Sequence, residues 1–373
     1  DLVPDLIYDE LQTIIKLLMR ITPETKRTSQ ERIISLLLKI LELDHKLLDM
    51  PNDFVWAILE TSTLSHEFVV LFGRMIEYYP EFEIKHQESL YNLVVNVLSS
   101  PRNPCQEALE LISLMNITPE FAKKILPSIK TAFFSRIEAH RIAAPKALIR
   151  IIAADPENLL EEGVDIFQLG ICDFSTAVRC AVIHSFDDDE NLVFLSTSDL
   201  GKNITVFAKD RSFHVRILYF NLLGRVAELC PIMAQSTLRD AISSIDIALR
   251  TSSTLSERVV ITKPLPALIS ASANIRTYDG SLLPTIVDLI TFAGNDDRIF
   301  LELELQLMVS LLQSLKSFAI ISFDIIKPYF DSIRVAVIRI LTGNNRNMKE
   351  AVIDLLVTIL RSSENLKDIY PYL

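Results

Sequence analysis

Several stretches of the chain hold residue types that could do chemistry, and each falls short of its motif. Asp173-Phe174-Ser175 begins like the D-F-G loop with which a kinase holds magnesium, but serine stands where the glycine belongs. No H-R-D, no β-strand lysine motif and no glycine-rich loop accompany it, so a repeat turn is the better reading. His66-Glu67 opens like the zinc motif H-E-x-x-H, yet Val70 occupies the second histidine position and no metal pair faces one way. The six histidines share no helical face at ligand spacing. Asp187-Asp188-Asp189-Glu190 is an acidic run without the alternation and the glycine turn of a calcium loop. It reads as a solvated inter-helix loop or, failing that, a contact for a basic partner. G-x-S-x-G, G-x-G-x-x-G and Walker A are missing as well. These absences predict a segment with no catalytic residue, no metal site and no cofactor.

Composition points the same way. Apolar residues make up 49% of the 373, enough for a large core. Glycines number only 8, roughly 2% against a usual ~7%, which suits helices and argues against phosphate-cradling folds. The net charge of −11 opposes nucleic-acid phosphates, and no lysine- or arginine-rich run offsets it. Cys105, Cys172, Cys180 and Cys230 are scattered without a C-x-x-C, which suggests reduced thiols and a cytoplasmic location. No apolar run approaches the ~18 residues of a membrane span. The chain opens on Asp1 rather than methionine, which suggests a segment of a longer protein.

The residues that organise the chain are a phrase written twice. Asp173-Phe174-Ser175-Thr176-Ala177-Val178-Arg179 recurs as Asp210-Arg211-Ser212-Phe213-His214-Val215-Arg216, both reading D-x-x-x-x-V-R and lying 37 residues apart (210 − 173). A period of 20–50 residues marks a stacked repeat array. Each copy opens a stripe of helical spacing; after the second, Val215, Leu218, Tyr219, Leu222, Leu223 and Val226 fall on one face. Similar stripes place nine inner helices, starting near Glu31, Glu67, Glu107, Arg141, Arg179, Arg216, Glu257, Glu302 and Glu350. The reading is therefore all-α: a HEAT/armadillo-type α-α superhelical solenoid of about nine helical pairs, with function on a surface rather than in a catalytic pocket.

Prolines punctuate the outer helices. Pro127 and Pro284 suit a first helical turn, and Pro101, Pro104, Pro119, Pro156 and Pro231 suit inter-helix turns. Pro264 and Pro266 interrupt an inner helix, so a kink or restart is expected near Thr262–Pro266. The residues Asp173, Arg179, Asp210 and Arg216 are expected to form a structural ladder. Each aspartate would accept backbone N–H groups ahead of its helix, and Asp173 would meet Arg216 across stacked units.

From about Asp173 the sequence resembles the HEAT solenoid of the TOR (target of rapamycin) kinases. The resemblance is carried by ordered residues: Thr176-Ala177-Val178-Arg179, Ser185-Phe186-Asp187, Asn191-Leu192, Phe213-His214-Val215-Arg216, Leu223-Gly224-Arg225, Pro231, Leu238-Arg239, Leu268-Ile269-Ser270 and Leu283-Pro284. Cys230 replaces the asparagine expected before Pro231, and the proline expected beside Tyr278 is missing. The resemblance divides the chain into generic HEAT-like repeats over 1–172 and TOR-like repeats over 173–373 of one continuous solenoid. It implies a serine/threonine kinase parent of the phosphatidylinositol-3-kinase-related class, with the catalytic domain outside this chain. It further implies a scaffold in growth and nutrient signalling that docks Raptor-like or Rictor-like subunits, dimerises, and reaches endomembranes through partners. An importin-like, adaptor or phosphatase-scaffold HEAT protein is the alternative, and a helical-repeat enzyme with an unrecognised site is the second.

Overall fold

The computed structural model describes residues 64–78, 81–99, 105–197, 199–273, 282–293, 302–342 and 345–362, with 13, 32, 34–36, 38 and 39. The expected helix start at Glu31 lies outside them, as do Pro101, Pro104, Trp56 and Tyr278. The described elements are all helical, and the chain is a HEAT/armadillo-type stack of helical pairs. It divides into two compact units, Asp1–Ser185 and Phe186–Leu373. The division falls after the first copy of the repeated phrase.

In the first unit α1 (His66–Tyr78), α3 (Cys105–Leu114), α5 (Glu138–Ala154) and α7 (Thr176–His184) form one row, each packed on the next. Behind them α2 (Glu81–Leu98), α4 (Pro119–Phe133) and α6 (Pro156–Ile171) form the second row. Short connections between consecutive helices produce this layering. Asp155 alone separates α5 from α6, and Pro156 opens α6 with a missing N–H that the first turn does not need. Thr118 caps α4 by accepting from the Phe121 N–H at 3.4 Å. Tyr91 of α2 stacks on Phe121 at 3.7 Å and donates its hydroxyl to the Asn116 carbonyl at 2.9 Å.

The second unit repeats the scheme. Its outer helices are α8 (Asp189–Thr197), α9 (Leu200–Asn203) with the 3₁₀ turn Ile204–Lys209, α11 (Pro231–Thr251), α14 (Leu283–Ala293) and α17 (Phe330–Thr342). Its inner row is α10 (Phe213–Leu229), α12 (Leu255–Thr262) with α13 (Leu265–Ser272), α15 (Glu302–Ile321) and α18 (Arg346–Ser362). The short α16 (Phe323–Ile326) links α15 to α17. The expected starts at Glu67, Glu107, Arg141 and Arg179 fall in the first turns of α1, α3, α5 and α7, and those at Arg216, Glu257, Glu302 and Glu350 in the first turns of α10, α12, α15 and α18.

The expected interruption is present: α12 ends at Thr262 and α13 begins at Leu265. Pro127 differs from expectation. It lies inside α4, eight residues past the helix start (127 − 119) rather than in the first turn, and Pro145 lies inside α5, seven residues past its start (145 − 138). The acidic run also differs, because Asp189 and Glu190 belong to the first turn of α8, where negative charge meets the positive helix end.

Burial follows the repeat. Val215, Tyr219, Leu222, Leu223 and Val226 are at most 3% exposed, and Phe220 on the flank of the stripe is fully buried. An inner helix is covered by both row neighbours and its outer partner, so its apolar arc is wider than one stripe. Each such aliphatic contributes about 1.5–3 kcal/mol. Helix α15 passes the length and composition test for a membrane span that no run in the sequence was expected to meet. Its buried Leu307, Met308, Leu311, Leu312, Leu315 and Phe318 make it the core helix of this unit.

Candidate functional site: the arginine ladder and the inner-row groove

The repeated phrase is first a local closure. Asp173 Oδ1 accepts the Ser175 N–H at 2.7 Å, and Asp210 Oδ1 accepts the Ser212 N–H at 2.8 Å. Six residues on, Arg179 Nη1 donates to the Asp173 carbonyl at 2.8 Å, and Arg216 Nη1 donates to the Asp210 carbonyl at 2.5 Å. The valines between, Val178 and Val215, are fully buried. Each phrase therefore ties the incoming turn to its helix by an aspartate at one end and an arginine at the other.

Two further copies are hidden by substitution. Arg141 Nη1 donates to the Ser135 carbonyl at 2.8 Å, and Arg258 Nη2 donates to the Ser252 carbonyl at 3.1 Å. Serine takes the aspartate's place: Ser135 Oγ accepts the Ile137 N–H at 3.2 Å, the same two-residue reach. The closures begin at 135, 173, 210 and 252, intervals of 38, 37 and 42 residues. The six-residue spacing from a small polar residue to arginine was the available signal. Searching for the invariant aspartate and valine missed it.

The ladder between pairs runs opposite to the sense expected. Asp173 takes its cation from the pair before it: Arg141 Nε lies 2.7 Å from Oδ2, and Nη2 lies 3.5 Å from Oδ1. The expected Asp173–Arg216 rung is replaced by this one because an arginine in the first turn of α5 already faces the turn that precedes α7. Both side chains are under a tenth exposed. The guanidinium also covers the Phe174 ring at 4.8 Å from its centroid, and Ser175 Oγ donates to Glu138 of the same earlier helix. In the second unit Arg216 Nη2 donates instead to the Val260 carbonyl at 2.9 Å. Burial lowers the Arg216 pKa, and Asp210 opposes that shift.

The Val260 bond has a local cause. In an unbroken helix the Val260 carbonyl would accept from the N–H four residues on. That residue is Pro264, which has none. Arg216 supplies the missing donor where α12 stops.

A second arginine row lies nine residues after the first (150 − 141 and 225 − 216). Arg150 donates to the Met115 carbonyl at 3.0 Å and to Asn116 Oδ1 at 3.2 Å. Arg225 donates to the Phe186 and Asp187 carbonyls and reaches Asp189 Oδ1 at 2.6 Å. The acidic run thus serves as a seat for Arg225. Gly224 beside it lets α10 approach α13, since a Cβ there would lie 3.2 Å from Ala271 Cα.

These networks are spent on stacking. Among the described residues no three His, Cys, Asp or Glu side chains converge as a metal-binding set. A further polar surface of the inner row lies elsewhere, in a groove of about 760 Å³ along α15 and α18. Glu302, Gln306, Gln313, Asn347, Glu350, Asp354 and Lys263 line it; Gln306 donates to Glu302 at 3.2 Å, Glu350 pairs with Arg346 at 2.8 Å, and Asp354 pairs with Lys316 at 2.5 Å. Lys263 Nζ also stands 4.3 Å from the Phe213 ring centroid. The groove offers amides and carboxylates, with the buried Ser310 also in its lining.

No protein-family model matches the sequence, and no curated protein matches it. Solved structures align with it at low identity. A crystal structure of Kap121p aligns with 100% of this chain and 48% of its own length, at 15% identity and a TM-score of 0.47. Kap121p bound to Ste12p aligns with 94% of this chain and 41% of its own, at 14% identity and a TM-score of 0.46. An engineered protein aligns with 94% of this chain and 98% of its own, at 16% identity and a TM-score of 0.39. The chain spans about half the length of Kap121p or less.

Proposed function

We propose that the chain is a non-catalytic protein-binding scaffold, a HEAT segment of a TOR-like serine/threonine kinase that holds partner subunits at fixed spacing. The observation that carries the binding role is the inner-row groove. It is open and lined by Gln306, Gln313, Asn347 and three carboxylates, and its amides can hydrogen-bond an extended partner backbone. The TOR part of the reading rests on the ordered residues between Thr176 and Pro284, which include both ladder arginines and Gly224-Arg225. Raptor-like or Rictor-like subunits, a homodimer and a cytoplasmic location come with that part of the proposal.

An importin-like carrier is the second reading. It is favoured by the same groove, because Glu302 in its lining together with a net charge of −11 would draw basic segments. Affinity purification from the native cell separates the two, with the wild-type chain run beside Glu302→Lys/Glu350→Lys. A co-purifying kinase catalytic domain with a Raptor-like or Rictor-like subunit supports the TOR reading. Basic cargo released by the double substitution, with no kinase, replaces it by the importin reading. Partners that bind wild type and double variant equally sink the groove as the binding face.

A further inference from the structure

A second cavity, of about 400 Å³, lies between the outer and inner rows of the second unit, walled by α8, α9, the 3₁₀ turn, α10 and α11. At its edge stands Tyr219, 1% exposed and fixed by Phe207 and Phe220 at ring-centroid distances of 6.2 and 6.0 Å. Its hydroxyl has no hydrogen-bond partner among the described residues. Burial pushes its pKa up, so it stays a neutral donor at physiological pH. The ring is buried but the hydroxyl is open to the cavity, where water or a ligand can supply its acceptor.

The rest of the lining has the same bias. Ser236 and Thr237 of α11 bring hydroxyl groups. Lys202 reaches Asp199 with one of its N–H donors, at 2.7 Å, which leaves two. Thr205 and Ser196 already donate to backbone carbonyls. Leu195, Leu223 and Ile232 supply the apolar part of the lining. Hydroxyl donors, one ammonium paired with Asp199 and aliphatic side chains in one lining suit a monoanion with a short apolar body. A phosphate dianion would find too little positive charge here and nothing for the wall to cover.

We propose that this cavity binds a short aliphatic carboxylate, its oxygens on the Tyr219 hydroxyl, the α11 hydroxyls and Lys202, and its hydrocarbon on Leu195, Leu223 and Ile232. The carboxylate can be that of a free acid or of a peptide ending in leucine. The proposal does not depend on the scaffold reading above.

Titration calorimetry and thermal unfolding of the whole chain test it with 4-methylpentanoate, 4-methylpentanamide, inorganic phosphate, and a short leucine-terminated peptide with free or amidated C-terminus. Saturable binding of the free acid, the free-ended peptide or both is expected, each weakened at least tenfold by removing its charge, with no phosphate binding. Tyr219→Phe keeps the ring packing, so it should unfold at no lower temperature without ligand yet bind the carboxylate roughly tenfold more weakly. Ser236→Ala, on the exposed flank of α11, gives a second reading should the Phe variant fold poorly. Failure of the wild-type chain to bind either carboxylate overturns the proposal. So does phosphate binding as tight as the acid's, or unchanged affinity in both variants.

Discussion

The two units close their turns in the same way and join their helical pairs differently. In the first, Arg141 spans to a carboxylate, Asp173, in a pair that is almost wholly buried. In the second, Arg216 spans to a backbone carbonyl, that of Val260, which Pro264 has left without its helical donor. The position of the aspartate in the next closure is taken by Ser252. One sequence phrase thus supports two kinds of rung, and the partner is decided by the neighbouring pair. A charge pair desolvated on both sides tolerates no loss of one member. A guanidinium on a carbonyl is a replacement for one missing helix bond.

Breaking the first rung should therefore have the largest effect. Arg141→Leu leaves Asp173 buried without its cation and is expected to destabilise the chain by about 3–5 kcal/mol. Urea unfolding, with hydrogen exchange followed over α5 to α7, checks this; a loss below 1 kcal/mol would remove the distinction between the units. Arg216→Met should cost about 1–3 kcal/mol, the range for leaving carbonyls unsatisfied, with exchange rising in α12 rather than in α5. The same substitution made on Pro264→Ala should cost roughly 1 kcal/mol less, because alanine restores the N–H that Val260 lacks. A double-mutant cycle with zero coupling would show that Arg216 does not compensate for the proline. Ser252→Asp should sharpen the comparison in the other direction, by offering Arg216 a carboxylate; a gain below about 1 kcal/mol is expected for so partly exposed a cation.

The smallest effect concerns acid. The hydrogen bond from Lys123 holds the Asp155 carboxyl below its ordinary pKa, and Asn158 adds to this. The folded pKa is depressed, so this contribution is present above the unfolded value near 3.8 and fades as pH falls through the lower, folded one. Lys123→Met should flatten the acid limb of the first unit's unfolding curve and leave the second unit's unchanged.

Much of the fold was legible because its signals are local. Stripes such as Ala108, Leu111, Ile112 and Met115 are buried as their spacing requires, and Pro264 and Pro266 mark the true break. Pro127 misled because a helix boundary is inferred from proline's missing bond, while an exposed carbonyl four residues back can turn to water instead. The candidate site was less legible. The closures survive in the sequence as a spacing, but the serine copies at 135 and 252 erase the letter that advertises it. The direction of the ladder is a tertiary fact, set by which turn the first residues of α5 face. Tyr219 reads as one more apolar position in a stripe, since only the packed structure shows that its hydroxyl lacks an acceptor.

The bond from Arg216 to Val260 also bears on how this chain can change over generations. Pro264 and Arg216 form an epistatic pair: the proline is tolerable in the presence of the arginine, and once the proline is gone the arginine keeps only its closure on the Asp210 carbonyl. Among descendants of such a sequence, position 264 is the one that must drift first, and alanine there loosens the constraint on position 216. Arg141 and Asp173 have no such order of release, so the first unit should hold its rung while the second exchanges its own.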